Sequence, residues 1–214
     1  MDAAAVLKFF EENKLVAVIR TGSNEDAEEL TKAVTSAGIK IVEITMTIPQ
    51  AGRLIENWSK QEGLLVGAGT VTDGEMAQRA INAGARFLSS HYTDRDVISV
   101  GKNNNAFLIQ GAVTPSEAVN AWQLGADLVR VYPAEFLGGP AYLRALRGPL
   151  PFVKFMAGGE IPAENVFDYL KYCCAVTISK AVYDKALIRA HHWAEITERT
   201  RQLTQKLDAL KIPK

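Results

Sequence analysis

Eight short runs rich in aliphatic and β-branched residues punctuate this chain: Val16–Arg20, Ile39–Thr45, Leu64–Ala68, Phe87–Ser89, Phe107–Gln110, Leu128–Val131, Val153–Met156 and Ala175–Ile178. Their centres stand about 20 to 25 residues apart, the room that one strand, one crossover helix and two short loops require. Parallel strands cannot be joined by tight turns, so a chain with this spacing carries a helix between successive strands. Eight such units predict a closed (β/α)8 TIM barrel of the α/β class.

The residues between the runs give the helices their ends. Thr114-Pro115-Ser116-Glu117 combines a capping hydroxyl, a proline at the first helical position and an acid three residues after the cap, which together satisfy free N–H groups and complement the helix dipole. Thr72 with Glu75, and Ser23 with Asp26, are looser versions of that signal. Gly38, Gly84 and Gly125 each stand after a helical pattern and before a strand, where a left-handed stop is needed. A doubly wound open sheet would also alternate strands and helices, but it more often carries a glycine-rich dinucleotide turn after its first strand. Arg20-Thr21-Gly22-Ser23-Asn24 lacks that spacing, so the barrel is preferred.

Two helices are expected outside the repeat. Ala3–Asn13, with Val6, Phe9 and Phe10, can close the barrel's N-terminal mouth, and Trp193–Leu210 is a longer amphipathic helix. No Pro/Gly/Ser-rich linker interrupts the chain, so residues 1–214 read as one domain. Lys plus Arg (24) equals Asp plus Glu (24), which disfavours extended nucleic-acid binding or adhesion to an anionic membrane. Nothing approaches roughly 18 consecutive apolar residues, and the N-terminus lacks a targeting pattern, so a cytoplasmic protein is expected. The only cysteines, Cys173 and Cys174, are adjacent and form no ligand pattern with the three histidines, which disfavours a disulfide scaffold or structural zinc.

A barrel of this type builds its site at the C-terminal ends of its strands. Those ends carry Arg20; Glu43 with Thr45 and Thr47; Gly67-Ala68-Gly69-Thr70; Ser90 with His91; Gln110 with Thr114; Arg130 with Glu135; Gly158-Gly159; and Ser179-Lys180. Val42-Glu43-Ile44-Thr45, the run Val66–Val71, Gly111 with Thr114–Glu117, Tyr132-Pro133-Ala134-Glu135 and Gly158-Gly159 occur in the order and approximate spacing of a known family. Over about residues 14 to 185 the chain resembles the 2-keto-3-deoxy-6-phosphogluconate (KDPG) and 4-hydroxy-2-oxoglutarate (KHG) aldolases. The resemblance implies a class I aldolase barrel, usually a homotrimer, that cleaves a 2-keto-4-hydroxy acid to pyruvate and an aldehyde. A strand-six lysine would form the Schiff base, and a strand-two glutamate, here Glu43, would move protons. Some members place a substrate-binding arginine shortly after that glutamate. Others have threonine there and use the arginine ending strand one, the pattern that Thr47 and Arg20 match. Thr45, Gly69, Thr70 and Thr114 complete the expected substrate-binding set, and Gly158, Gly159, Ser179 and Lys180 the expected phosphate-binding set.

The departure that matters most is at strand six. Where the family carries its lysine, three residues before the proline, this chain has Arg130. A guanidinium stays protonated and its resonance leaves no amine lone pair to attack a ketone, so ordinary Schiff-base catalysis is expected to be lost or severely reduced. Ala157, Gln110, His91 and Thr177-Ile178-Ser179-Lys180 also differ from the residues usual at their places. Arg130 then reads either as a ligand-binding cation or as the partner of Glu43 in a buried ion pair. Both readings set the two side by side. Lys180 at the end of strand eight is a candidate relocated nucleophile if desolvated beside Arg130, or else a surface or phosphate-contacting lysine. Lys154 is expected to point to the helical layer, and His191-His192 to be solvated or capping. Three functions follow: altered lyase or decarboxylase chemistry on a 2-oxo acid, with Glu43 as acid/base; a catalytically silent ligand sensor or assembly partner; or an aldolase working through Lys180. No organic cofactor is expected. No second acid or histidine is clearly placed to join Glu43 around a metal.

Overall fold

Each repeat of the chain contributes one strand that is buried on both faces, a consequence of being wrapped by helices outside and by its fellow strands within. In the computed structural model, which describes residues 1–210, the strands are β1 (Leu15–Ile19), β2 (Ile41–Thr45), β3 (Leu65–Gly69), β4 (Phe87–Ser89), β5 (Phe107–Ala112), β6 (Leu128–Val131), β7 (Phe155–Ala157) and β8 (Ala175–Thr177). All neighbours pair in parallel and in sequence order, and β8 returns to β1 through Leu15 opposite Val176 and Val16 opposite Thr177. The predicted (β/α)8 barrel is therefore the observed fold.

The helices are α1 (Ala3–Asn13), α2 (Asn24–Ser36), α3 (Ala51–Trp58), α4 (Gly74–Asn82), α5 (Arg95–Asn103), α6 (Pro115–Leu124), α7 (Gly139–Arg147), α8 (Val166–Tyr169), α9 (Ser179–Val182), α10 (Lys185–Arg189) and α11 (Trp193–Ala209). The reciprocal cap at Thr114 forms as expected: its hydroxyl accepts from the Glu117 N–H, and the Glu117 carboxylate accepts from the Val113 and Thr114 N–H groups, holding that carboxyl below its usual range. Ser23 caps α2. The start of α4 differs, because Asp73 rather than Thr72 accepts the Met76 N–H; a carboxylate one residue nearer the helix is the stronger acceptor for it. Gly38, Gly84 and Gly125 all adopt positive φ at helix ends.

Two apolar clusters divide the interior by strand parity. Val16, Ile41, Leu65, Phe87, Phe107, Leu128, Met156 and Ala175 point into the barrel, where Val6 and Phe10 of α1 close the N-terminal mouth. The Phe10 ring meets Phe87 edge-on at 5.3 Å and stacks on Phe107 at 5.5 Å. The alternate residues, among them Val42, Ile44, Val129 and Val131, pack against the helices. At the other end of the chain, α11 folds back onto its own barrel, where Thr204 and Thr197 donate to the Ala37 and Ala33 carbonyls of the α2 segment.

This parity corrects the expectation for Lys154. Val153, Phe155 and Ala157 face the helices while Met156 faces inward, so Lys154 turns toward the N-terminal mouth and pairs with Glu11 of α1 at 2.9 Å. The paired carboxylate holds its ammonium above the usual lysine range.

Candidate active site

Above the hydrocarbon that fills its lower half, the barrel holds a polar layer. Glu43 on β2, Ser89 on β4 and Arg130 on β6 occupy inward-facing positions two residues beyond Ile41, Phe87 and Leu128. They are 0%, 0% and 2% exposed. One guanidinium nitrogen of Arg130 donates to Glu43 Oε1 at 3.0 Å and to Ser89 Oγ at 2.8 Å. Two neighbouring positions supply the space: a Cβ on Gly69 would lie 2.2 Å from Glu43 Oε1, and one on Gly158 would lie 2.5 Å from Arg130 Nε. Glu43 Oε2 and Arg130 Nε have no hydrogen-bond partner in the protein. A charged acceptor and a charged donor thus remain unspent within the buried layer, of which the Arg130 side chain reaches the cleft above and Glu43 lies behind it.

That cleft, about 350 Å³, lies at the C-terminal ends of the strands. Its floor includes Arg130 and Thr177, and its walls carry Arg20, His91, Tyr132 and Gly159. Around it Arg20, Lys180 and Lys185 face Glu160 and Asp184, while Arg130 is paired with Glu43 beneath, which leaves the mouth with a small excess of positive charge. Burial, reinforced by Arg130, holds the His91 imidazole down at about 4, and burial pushes the Tyr183 phenol up. A larger hollow of about 640 Å³ lies at the opposite end of the barrel, but its buried residues are Leu15, Ala37 and Ile39, with no buried charged group among the described residues.

The residues singled out from the sequence divide into those the structure gathers and those it separates. Arg20, Arg130, Gly159, Ser179 and Lys180 line the cleft, with Glu43 directly beneath. Arg20 also donates to Thr70 Oγ1 at 2.9 Å, tying the ends of β1 and β3 together across β2, and Thr70 is held there at φ +57°. Thr45 and Thr47 share a hydrogen bond of 3.0 Å, Thr45 buried and Thr47 exposed. Thr114 is an exposed helix cap, so its hydroxyl is already committed. Gly158 cannot offer its amide to a phosphate, because the β6–β7 ladder consumes it: Gly158 N–H donates to the Val131 carbonyl at 3.0 Å. Lys180 is exposed in the first turn of α9, because the chain leaves the barrel at Ser179, so the desolvation that a nucleophilic role needs is absent. Gln110 points outward and accepts from the Asp94 N–H, and Glu135 accepts from Asn165 and Tyr169 rather than meeting Arg130. His191 and His192 are exposed, and His192 makes no side-chain cap.

Ser89, Tyr132, Thr177 and Tyr183 also belong to the site. Inward parity continued from Phe87, Arg130 and Ala175 would have found the first three; Tyr183, whose hydroxyl donates to the Val18 carbonyl, carries no such signal.

Fold and polar layer together define a (β/α)8 barrel with a candidate site at the C-terminal ends of its strands, where barrel enzymes of this class keep theirs. Similarity to known proteins narrows the class: the chain belongs to the KDPG and KHG aldolase family, whose model matches residues 6–199. It is 26% identical to the 2-dehydro-3-deoxy-phosphogluconate aldolase of Pseudomonas aeruginosa, over 91% of this chain and 90% of that one. It is 32% identical to a probable 2-dehydro-3-deoxy-6-phosphogalactonate aldolase of Rhizobium meliloti, over 74% and 76%. Among solved structures it resembles the KDPG aldolase of Legionella pneumophila, in which pyruvate was captured as a covalent carbinolamine, with TM-score 0.83, 29% identity and coverage of 92% and 97%. No helix among the described residues is long and apolar enough to cross a membrane, and no group of three or more potential metal ligands occurs among them.

Proposed function

We propose that the cleft binds a 2-oxo acid anion and that carbon–carbon bond chemistry here runs without an imine. Arg130 stabilises the carboxylate or enolate, and Glu43 carries protons. The observation that carries this reading is the buried guanidinium at the end of β6 in a barrel where, among the described residues, no lysine is buried. A guanidinium cannot become an iminium, but its N–H groups can stabilise a negative oxygen in a site of low dielectric. In retro-aldol cleavage the base takes the C4 hydroxyl proton and the C3–C4 bond breaks. Its electron pair passes to the C2 oxygen beside Arg130, and C3 is then protonated to give pyruvate. The unspent Glu43 oxygen is a proton acceptor of the right kind, and the cations at the mouth suit the ligand's other anionic end, a carboxylate or a phosphate held by Ser179, Lys180 and Gly159.

A second reading is favoured by the same ion pair. Arg130 and Glu43 neutralise each other, and that supports, as the alternative, a catalytically silent binder acting as a ligand sensor or an assembly partner. The homotrimer implied by the family and a cytoplasmic location belong to either proposal.

The test is to incubate the protein with pyruvate, and separately with KDPG, in the presence of borohydride beside an active family aldolase, and to map any adduct. In parallel, exchange of the pyruvate methyl protons in deuterated water is followed by NMR. No adduct together with exchange that Glu43→Gln abolishes is the expected result, and Arg130→Lys should gain an adduct at position 130. An adduct on Lys180 would restore imine chemistry and overturn the proposal, whereas binding without exchange or turnover would establish the silent binder instead.

A further inference from the structure

The charged groups of the cleft account for the ends of an anionic ligand but not for its middle. On the wall between β4 and β6 stands His91, whose ring lies 4.2 Å from that of Tyr132 at an interplanar angle of 57°. Strand β5 separates β4 from β6, so the two rings can meet only over its end, where Gly111 has no side chain. A Cβ on Gly111 would lie 2.0 Å from the His91 carbonyl. The segment is fixed on every side: Ser90 donates to the Val71 carbonyl at 2.6 Å, Thr93 to the Gly111 carbonyl at 3.2 Å, and Tyr92 to the Thr72 carbonyl at 2.9 Å. The imidazole is therefore held by the fold, yet among the described residues it makes no side-chain hydrogen bond.

Its environment also fixes its chemical form. Arg130 and Arg20 face it as cations and Glu43 as the opposing anion, and with burial the balance leaves the ring neutral. A neutral imidazole presents one N–H and one lone pair, on different edges of the ring. An anion can only accept and is served better by the guanidinium groups; a hydroxyl answers whichever ring nitrogen faces the cleft, accepting from the N–H or donating to the lone pair. We propose that His91 is a specificity residue that recognises a hydroxyl on the uncharged carbon chain of the bound acid. This rests on the 2-oxo acid reading above and deepens it, by distinguishing hydroxylated from unhydroxylated 2-oxo acids.

The test compares 4-hydroxy-2-oxoglutarate with 2-oxoglutarate, which lacks only the hydroxyl, by titration calorimetry on the wild type, His91→Phe and His91→Gln. Phenylalanine keeps the ring against Tyr132 and removes both polar atoms; glutamine supplies a donor and an acceptor without the ring. The wild type should prefer the hydroxylated acid. His91→Phe should lose about tenfold for it and less than about twofold for 2-oxoglutarate, with His91→Gln regaining part of the preference. Equal losses for both acids, no loss, or no recovery in His91→Gln would overturn the assignment and leave His91 as a packing residue. Failure of the wild type to bind either acid would overturn the 2-oxo acid reading together with this inference, and is distinguished by that from failure of His91 alone.

Discussion

Replacing Arg130 with methionine measures what the buried charge does. The side chain of Glu43 receives a single protein hydrogen bond, from Arg130 at 3.0 Å, and its second oxygen receives none. Arg130→Met therefore leaves a fully buried carboxylate with no partner and also takes the 2.8 Å donor from the buried Ser89 hydroxyl. Two hydrogen bonds from a charged donor are worth about 1.5–3 kcal/mol each, in line with the roughly 3–5 kcal/mol lost when one member of a buried pair is removed. The expected loss at pH 7 is therefore about 3–5 kcal/mol. Protonation relieves an isolated carboxylate, so the gap between wild type and variant should narrow as the pH is lowered toward 4.5. The Glu43→Gln/Arg130→Met double variant removes the stranded charge and should recover to within about 1–2 kcal/mol of wild type. Urea denaturation at the two pH values gives the numbers, provided the slope against denaturant is unchanged between variants. A loss below about 1 kcal/mol for Arg130→Met at pH 7, or a double variant no more stable than the single one, would refute the argument that the pair is mutually supporting.

Gly158→Ala should cost about 1–3 kcal/mol and weaken anion binding, because its Cβ would lie 2.5 Å from Arg130 Nε and force the guanidinium aside; Gly22→Ala, with nothing within 4 Å, should be near neutral in the same denaturation assay. The His91 resonance should titrate near pH 4. Since that lies below its unfolded value of about 6.5, the unfolded chain binds the extra proton between the two and stability should fall as the pH drops through that window. Thermal melts of His91→Phe should lack this component of the slope, and a His91 resonance titrating near its unfolded value would refute the buried, cation-facing environment.

The repeat of eight strands was legible because it depends only on where apolar runs and helix punctuation fall, and all eight runs became strands with ends displaced by a few residues at most. Parity was harder to read. A strand covered on both sides is apolar at every position, so Val153, Phe155 and Met156 give no sign of which of them faces inward, and a slip of one residue sent Lys154 to the wrong layer. The site was legible to the extent that strand ends predict it: Glu43 and Arg130 meet, and Arg20 reaches the mouth. The rule failed where the backbone departs from the strand just at its end. Lys180 follows the chain into α9 and meets the cleft only at its exposed rim, Thr114 is consumed as a helix cap, and the Gly158 amide belongs to the ladder. Each of those outcomes depends on a single backbone hydrogen bond or turn, which residue type alone does not encode.

The packing of the barrel bears on why the pair is there. Its lower half shows the hydrocarbon solution to filling such an interior, with Phe87 and Phe107 closed off by Phe10 and with Gly67 admitting the Phe87 ring. The upper half has the same strands and the same inward positions, and two glycines that make room for large side chains, yet it is filled by a carboxylate, a guanidinium and a hydroxyl. Replacing a buried ion pair with apolar groups of similar volume is often neutral or stabilising by about 1–4 kcal/mol. Stability alone therefore gives no reason to keep Glu43 and Arg130 where Leu and Met would serve. What the pair adds is an unspent acceptor and an unspent donor at the base of a cleft, groups that hydrocarbon in the same positions could not offer to a ligand.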